Sequence, residues 1–220
     1  RKNKKVSKIW RLSYFCEMTE ENYQKYLKLK EIAAPFKALL FDVDGTLADN
    51  MHAHKAAYVE TAKEHGIVLN PDLIDETAGW PTVAVADEIS SRYQVPLDRF
   101  EFAKRKSAIF IEKFIQKTQP VDFVRQILYD FAESRKIGIV SGGSRSTLNI
   151  TLDVIKVVGK YETLVCAGDT PEGKPSPQPF LLAAEHLNVD PIDCLVFEDG
   201  DPGVQGAISA GMAWVRIDQM

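Results

Sequence analysis

Two aspartates directly follow a short apolar run near the start of the chain. Residues 38–47 read ALLFDVDGTL, which places Asp42 and Asp44 just after four apolar residues and just before a glycine. A short apolar run that ends in a glycine turn is typical of a buried strand. In parallel α/β sheets, catalytic groups lie just beyond the carboxyl ends of strands. Burying two carboxylates costs free energy unless a cation or a proton compensates them, so the pattern indicates a chemical role for both.

Three further polar sites follow predicted strands. Ser141 comes directly after one strand, Lys174 lies downstream of the strand that contains Cys166, and Glu198 and Asp199 follow a third. Because parallel strands align their carboxyl ends, these groups can converge. Carboxylates with open positions suit a hard ion such as Mg²⁺, whereas a hydroxyl and an ammonium suit an anion. A phosphoryl group between the two sets would satisfy both.

Two other motifs for phosphate or metal fit this sequence poorly. Residues 168–174 read GDTPEGK, which has the glycine and lysine spacing of a P-loop. Pro175 stands where that loop needs a metal-binding serine or threonine, and acidic side chains lie where phosphate needs backbone donors. The DxDG at Asp42 is similar to a calcium loop, but Leu47 stands where that loop needs glycine. We therefore exclude both motifs.

The elements that must position these residues alternate in the second half of the chain. Helix and strand patterns follow one another from residue 121 to residue 217, and repeated strand–helix units predict a parallel sheet with helices on both faces. Between residues 51 and 117 the patterns are helical only. We predict an α/β fold with a Rossmann-like parallel sheet and a helical cap inserted after the first strand. The predicted strands are 37–42, 136–140, 163–167, 193–197 and 213–217, and the predicted cap helices are 51–65, 71–77, 81–93 and 97–117.

These patterns divide the chain into three parts. Residues 1–35 form an N-terminal extension that is partly helical, residues 36–49 and 119–220 form the core, and residues 50–118 form the cap. In the extension, Thr19 is a good helix N-cap with acidic residues after it. The apolar face of this helix is expected to comprise Tyr23, Tyr26, Leu27 and Ile32.

Charge and composition restrict the class of protein. Of the 220 residues 45% are hydrophobic, and the formal net charge is −4. The first eleven residues carry six basic and no acidic side chains, and subtracting their charge leaves −10 for the remainder. An acidic body is not typical of nucleic-acid-binding domains, and no apolar run approaches the ~20 residues that span a bilayer. We expect no nucleic-acid or membrane partner and interpret the basic segment as a solvated tail, with a partner-binding arm as the alternative.

The number and spacing of the cysteines indicate the redox state of the cellular compartment. Cys16, Cys166 and Cys194 are far apart in the sequence and form no CxxC pair. This usage fits a reducing compartment without a disulfide framework or a zinc site. We expect a monomer in the cytoplasm, and organellar targeting stays open because the sequence begins at Arg1.

The order of the four sites resembles the haloacid dehalogenase (HAD) superfamily of phosphohydrolases. Its motifs match DVDGT at residues 42–46, then Ser141, Lys174 and the pair Glu198 and Asp199, and the likeness covers residues 35–218. The helical insertion resembles the branch with a helical cap. The stretches DNMHAH, GWPT and EDGDPG resemble the β-phosphoglucomutase-like group. Within that group, the E-D-x-D-x-G form is similar to phosphatases of small sugar phosphates, those acting on fructose 1-phosphate or 6-phosphogluconate.

The resemblance implies a role for each acidic residue. Asp42 would be the nucleophile that forms an aspartyl-phosphate. Asp44 would be the general acid for the leaving group and then the base for water. Mg²⁺ would be held by Asp42, the backbone carbonyl of Asp44, and Asp199, with help from Glu198. Taken alone, Glu198 and Asp199 could instead begin a helix through its dipole.

The resemblance also implies the groups that bind the substrate. Ser141, Gly142 and Lys174 would bind the phosphoryl oxygens, although Ser141 alone could simply cap a helix and Lys174 could be a surface lysine. His54 would contact the leaving group or support Asp44. In the cap, the loop GWPT resembles the family's substrate-reading loop, so that Thr82 and Trp80 would contact the substrate; the alternative for Trp80 is core packing. Residues 49–50 and 118–120 would be the hinges.

We therefore predict a Mg²⁺-dependent phosphatase that acts on a small sugar phosphate or a related phosphomonoester, so the expected partner is a small phosphorylated metabolite. The first alternative is a β-phosphoglucomutase-like phosphomutase on the same scaffold. The mutase form carries an arginine for the distal phosphate where Val83 stands here, which counts against it. The second alternative is a non-catalytic regulatory or binding protein with this fold.

Overall fold

The computed structural model describes residues 18–77 and 80–220. The basic segment 1–11, Cys16, and Gly79 of the GWPT loop lie outside the described residues. The helices are α1 (Glu20–Ala33), α2 (Met51–Glu64), α3 (Asp72–Glu76), α4 (Thr82–Tyr93), α5 (Arg99–Lys113), α6 (Asp122–Phe131), α7 (Arg145–Val154), α8 (Gln178–Leu187) and α9 (Asp201–Ser209). The strands are β1 (Ala38–Phe41), β2 (Ala48–Asp49), β3 (Gln119–Pro120), β4 (Lys136–Val140), β5 (Thr163–Val165), β6 (Cys194–Glu198) and β7 (Ala213–Arg216).

The core is a five-stranded parallel sheet in the order β5-β4-β1-β6-β7. The first strand in the sequence is thus the middle strand of the sheet. All four residues of β1 are buried, because helices cover both faces and such strands are apolar throughout. The predicted α/β fold with a parallel sheet is confirmed.

Alternate residues of β1 point into two separate cores. Leu39 and Phe41 pack with residues of α1, α6 and α7, and the ring of Phe41 stacks on that of Phe197 with centroids 4.4 Å apart. Ala38 and Leu40 pack on the other face with α8 and α9. Because alternate side chains of a strand point to opposite faces of the sheet, β1 packs against both helical layers.

The helix α1 belongs to the first of these cores. Thr19 caps it, since its hydroxyl accepts a hydrogen bond from the Asn22 N–H at 3.2 Å. Its buried side chains include Tyr26 and Leu29, whereas Leu27 is 41% exposed. The expectation that Leu27 lies on the apolar face was wrong, because the residue that shares a face with Tyr26 is three positions further on, at Leu29.

Helices α2 to α5 lie between β2 and β3 in the chain, and these two short strands are the linkers on either side of them. The linkers pair with each other as the antiparallel strands β2 and β3, with Ala48 opposite Pro120 and Asp49 opposite Gln119. This pairing was not predicted, since two-residue strands carry no periodic signal. We propose that residues 36–49 with 119–220 form the core and residues 50–118 the cap, with the extension at 1–35. Across the part of the chain that the structure describes, no helix combines the length and apolar character needed to cross a bilayer.

The longest predicted cap helix, 97–117, is shorter in the structure. Helix α5 begins at Arg99 because the Asp98 carboxylate accepts hydrogen bonds from the backbone N–H groups of Phe100 and Glu101. It ends at Lys113, and a separate 3₁₀ turn covers Ile115–Lys117. The side-chain cap, rather than the apolar pattern, decides where the helix starts.

The packing of α1 leads to a stability prediction. We expect Leu29→Ala to lower the free energy of unfolding by about 2–4 kcal/mol, because it opens a cavity in the core beneath the sheet. The matched control is Leu27→Ala, two residues away on the exposed side of the helix, which should change stability by less than about 0.5 kcal/mol. Urea unfolding of both variants measures the difference; equal effects would contradict the assignment of α1 to the core.

Candidate active site

The predicted site residues meet in one cleft between the core and the cap. The core wall contains Asp42, Asp44, Ser141, Gly142, Lys174, Glu198 and Asp199, which lie at the carboxyl ends of β1, β4, β5 and β6 or in the loops that follow these strands. The cap contributes His54, Trp80 and Thr82. Because β1 lies between β4 and β6, Asp42 and Asp44 are flanked by the loops that follow β4 and β6.

Lys174 is buried at the centre of this wall. Its ammonium donates hydrogen bonds to Asp42 Oδ1 at 2.6 Å, to the Val140 carbonyl at 2.9 Å, and to Glu198 Oε1. Burial by itself lowers the pKa of Lys174, but Asp42 and Glu198 outweigh it and raise the pKa above its usual value. Lys174 is therefore a fixed cation rather than a surface lysine.

The nucleophile candidate, Asp42, lies among like charges. Burial raises its pKa well above the usual value, and although Lys174 opposes this, Glu198 and Asp199 raise it further. The pKa of Asp199 rises to about 6, through burial and the charge of Glu198. Lys174 alone does not balance these carboxylates, so a second cation at this place would be strongly favoured.

The acidic residues fit a divalent ion of the hard class. Asp42, Glu198 and Asp199 each offer a carboxylate oxygen, and these oxygens lie within 4.8 Å of one another. Oxygen donors alone, without histidine or cysteine, are the ligands that Mg²⁺ prefers. The three carboxylates can therefore hold such an ion.

Two glycines make this close approach possible. A Cβ at Gly45 would lie 2.1 Å from Asp199 Oδ2, and one at Gly203 would lie 1.8 Å from Glu198 Oε1. Gly45 also has φ +91°, a conformation that side chains disfavour. Any larger residue at either position would push a carboxylate out of the cluster.

Glu198 has contacts that a metal ligand alone would not need. Its Oε2 accepts hydrogen bonds from the backbone N–H groups of Asp199 at 3.1 Å and Gly200 at 3.2 Å, while Oε1 accepts from Lys174. These bonds shape the loop that carries Asp199. The pair does not begin the next helix, since α9 starts at Asp201 with Gly200 as its N-cap.

The loop after β4 offers donors for an anion. The Ser141 hydroxyl accepts a hydrogen bond from the Gly143 N–H at 3.2 Å and keeps its own proton to donate. Ser144, not Ser141, caps α7, since its hydroxyl accepts from the Thr147 N–H. Ser141 and Gly142 are thus available on the cleft wall.

Asp44 is held by residues of the cap. Asn50 donates to its Oδ1 at 2.6 Å, and His54 Nε2 lies 3.2 Å from the same oxygen. Burial opposes ionisation of Asp44, but these two residues and the charge of Lys106 outweigh it and lower the pKa to about 2. The group is therefore a carboxylate at neutral pH.

Lys106 on α5 completes this network, and the sequence prediction missed it. Its Nζ lies 2.7 Å from His54 Nδ1 and 4.4 Å from the centroid of the Tyr58 ring. It is 6% exposed, and burial lowers its pKa to about 8. As a donor to Nδ1 it leaves Nε2 of a neutral His54 to donate to Asp44. The available signal was a lysine on the helix stripe formed by Phe102, Ile109 and Phe110.

The outer part of the cleft is mainly apolar. Met51, Ile74 and Val85 line it together with Trp80, which is 42% exposed. Thr82 and Tyr58 add hydroxyl groups to the lining. Among the described residues that line the cleft, the basic side chains are Lys174, Lys106 and His54. The exposure of Trp80 disagrees with core packing and leaves its indole free to contact a ligand.

Comparison with known proteins agrees with this geometry. The family model of haloacid dehalogenase-like hydrolases matches residues 36–211. An uncharacterized protein of Haemophilus influenzae is 33% identical over 83% of this chain and 91% of its own. A fructose-1-phosphate phosphatase of Escherichia coli is 28% identical over 83% and 96%. The crystal structure of a β-phosphoglucomutase from Clostridium difficile superposes with a TM-score of 0.74 at 25% identity, covering 82% of this chain and 84% of that one.

The chain therefore belongs to the haloacid dehalogenase-like hydrolases. The resemblance stated from the motifs, including that to the β-phosphoglucomutase-like group, is confirmed. The expectation of an enzyme is confirmed with it, since the family is one of hydrolases.

The network at Lys106 leads to a paired prediction for Lys106→Met. The pKa of Lys106 is about 8 in the folded protein and 10.5 ordinarily, so protonation of Lys106 favours the unfolded chain. The resulting loss of folding stability is fully present below pH 8 and disappears above about pH 10.5. We expect the variant to gain about 1–3 kcal/mol of stability at pH 7. Its kcat should fall about 10- to 100-fold, because His54 loses the donor that orients it.

Thermal or urea unfolding at pH 7 and steady-state kinetics measure the two effects. The matched control is Lys104→Met, on the same helix with its side chain 77% exposed, which should change neither quantity. A loss of stability in Lys106→Met, or unchanged kcat, would contradict the assignment.

Proposed function

We propose that this protein is a Mg²⁺-dependent phosphatase that hydrolyses a small sugar phosphate or a related phosphomonoester through an aspartyl-phosphate. The observation that carries the proposal is the position of Asp42. Its carboxylate accepts a hydrogen bond from Lys174 and belongs to an acidic cluster suited to a cation, and it shares the cleft with the donors of Ser141 and Gly142. A nucleophile, an anion site and a cation site thus meet at one point.

In the first half-reaction, a carboxylate oxygen of Asp42 attacks phosphorus and the bond to the leaving oxygen breaks. Ser141 and the Gly142 N–H donate hydrogen bonds to the phosphoryl oxygens as charge spreads over them, and the ammonium of Lys174, bonded to Asp42, supplies positive charge beside them. Two unit charges of the same sign 4 Å apart repel by about 4 kcal/mol at an effective dielectric of 20. When bound at Asp42, Asp199 and the Asp44 carbonyl, with help from Glu198, Mg²⁺ supplies the positive charge that offsets this repulsion.

Asp44 handles the proton in both halves of the reaction. The leaving alkoxide takes a proton from Asp44, which must therefore be protonated in the substrate complex. The negative phosphoryl group favours this, since a like charge nearby raises a carboxyl pKa. In the second half, the Asp44 carboxylate takes a proton from the water that attacks the aspartyl-phosphate, and Asp42 and inorganic phosphate are released.

The substrate class rests on the relatives and on the outer cleft. The Escherichia coli relative is named for fructose 1-phosphate, which supports a phosphorylated sugar. Trp80 offers an aromatic face, and Lys106, Tyr58 and Thr82 offer polar groups to hydroxyls. His54 lies beside Asp44, with Nε2 at 3.2 Å from Oδ1, and we place it near the leaving oxygen for that reason.

The second candidate is a phosphomutase, supported by the structural likeness to a β-phosphoglucomutase. A mutase must hold a second phosphate far from the nucleophile. Val83 stands where the mutase form has an arginine, and no arginine is among the described residues that line the cleft. This favours the phosphatase.

The remaining expectations are part of the proposal. We propose a monomer in the cytoplasm that acts on a small metabolite and has neither a nucleic-acid nor a membrane partner. The negative charge of the body supports the first of these exclusions. A non-catalytic regulatory protein is disfavoured because every side chain that the proposed reaction needs is present in the sequence. These side chains are Asp42, Asp44, Ser141, Lys174 and Asp199.

The nucleophile is tested by Asp42→Asn. We expect phosphate release from p-nitrophenyl phosphate with Mg²⁺ to fall by at least about 10³-fold, because an amide cannot form the acyl phosphate. Acid-trapped phosphoenzyme should disappear as well. The control is Asp153→Asn, an exposed carboxylate on α7, which should retain full activity; turnover in Asp42→Asn would refute the role of Asp42.

The reaction type is tested with β-glucose 1-phosphate and a bisphosphate primer. We expect inorganic phosphate and free sugar, without glucose 6-phosphate, because no arginine for the distal phosphate is among the residues that the structure describes along the cleft. Formation of glucose 6-phosphate would establish the mutase instead. A phosphate-release screen across sugar phosphates then identifies the preferred substrate, and no turnover across the whole panel would contradict an enzyme of this kind.

A further inference from the structure

Arg216 ends β7 and contacts the loop that carries the proposed metal ligand Asp199. Its Nε donates to the Asp199 carbonyl at 2.8 Å, and its Nη1 donates to the carboxylate of Asp201 in the first turn of α9. One guanidinium thus holds both ends of the 199–201 loop. The Arg216 side chain is 18% exposed.

The sheet and a second carboxylate fix the position of this guanidinium. Arg216 lies opposite Glu198 in the β6–β7 register, and the Ile217 N–H donates to the Glu198 carbonyl at 2.8 Å. Asp218 accepts from Nε at 2.7 Å and from Nη2 at 3.1 Å. The planar fork of arginine can serve these acceptors at once, which an ammonium cannot do.

Asp199 is consequently restrained on both its main chain and its side chain. Arg216 holds its carbonyl, while the Thr46 hydroxyl donates to its Oδ1 at 2.9 Å. Thr46 anchors the carboxylate to the loop after β1, and Arg216 anchors the backbone to β7. The distance between Asp199 and Asp42 depends on both anchors.

We propose that Arg216 is a positioning residue that sets the affinity of the acidic cluster for its divalent ion by fixing the backbone of the Asp199 loop. The inference rests on the proposed Mg²⁺ dependence and concerns a residue outside the ligand set. Groups that orient ligands in this way contribute about 10- to 100-fold to metal affinity.

The sign of the effect separates positioning from charge. Arg216 is a cation beside an acidic cluster, so through charge alone its removal would tighten Mg²⁺ binding. Through positioning, its removal weakens Mg²⁺ binding. Arg216→Lys separates the two effects further, because lysine keeps the positive charge but lacks the planar guanidinium that bonds several acceptors at once.

The test is calorimetric titration of Mg²⁺ into the metal-free protein without substrate, which reads binding rather than turnover. We expect the dissociation constant to rise about 10-fold or more in Arg216→Gln and also in Arg216→Lys. The matched control is Arg135→Gln, which removes an arginine that likewise donates to backbone carbonyls, those of Ala34 and Ser134, and should leave the constant unchanged. In kinetic assays, saturating Mg²⁺ should restore kcat of Arg216→Gln to within about twofold.

Three results would count against the proposal. An unchanged or lower dissociation constant in Arg216→Gln would show that Arg216 does not position Asp199, whatever the change in melting temperature. If that variant does not fold, the same titration is made with Asp218→Asn, which keeps Arg216 and removes the carboxylate that accepts hydrogen bonds from it. An unchanged dissociation constant in Asp218→Asn would count against the proposal. Absence of Mg²⁺ binding in the wild-type protein would overturn the proposed metal dependence as well, which distinguishes the two failures.

Discussion

The burial of like charges at the end of the central strand is the constraint on which the rest of this structure depends. Asp42, Glu198 and Asp199 offer oxygens within 4.8 Å of one another, and Lys174 is the cation that contacts two of them. Such a group is stable only when cations and hydrogen-bond donors surround it. The glycines at 45 and 203, the donors of the 198–200 loop, and the anchors Thr46 and Arg216 all serve this requirement.

The cap adds the second half of the site through one connected network. Asp44 extends from the core, and Asn50 and His54 contact it from the start of the cap. Lys106 on α5 contacts His54 in turn. The linkers pair as β2 and β3 directly beside this network. A change in the cap position would therefore alter the hydrogen bonds of Asp44.

Much of the fold was predictable because local patterns carry it. Strand β4 was predicted at its observed bounds, and the other core strands within two residues at either end, since buried strands between helices are continuous apolar runs. Local patterns did not predict helix boundaries or buried faces that depend on a single side chain. Asp98 delays the start of α5, and the phase of α1 selects Leu29 over Leu27. The pairing of β2 with β3 joins linkers about seventy residues apart in sequence and leaves no local trace.

The sequence by itself determined which residues meet in the cleft, because acids, a hydroxyl and a lysine after successive strands need only a parallel sheet to converge. It also determined the family, through the order of those motifs. The tertiary structure alone decided which groups tune them. Lys106 reaches His54 across 52 positions, and Arg216 reaches Asp199 across 17. Neither contact follows from periodicity, since a lysine on a helix and an arginine on an edge strand are ordinary until folding buries them beside a charged site.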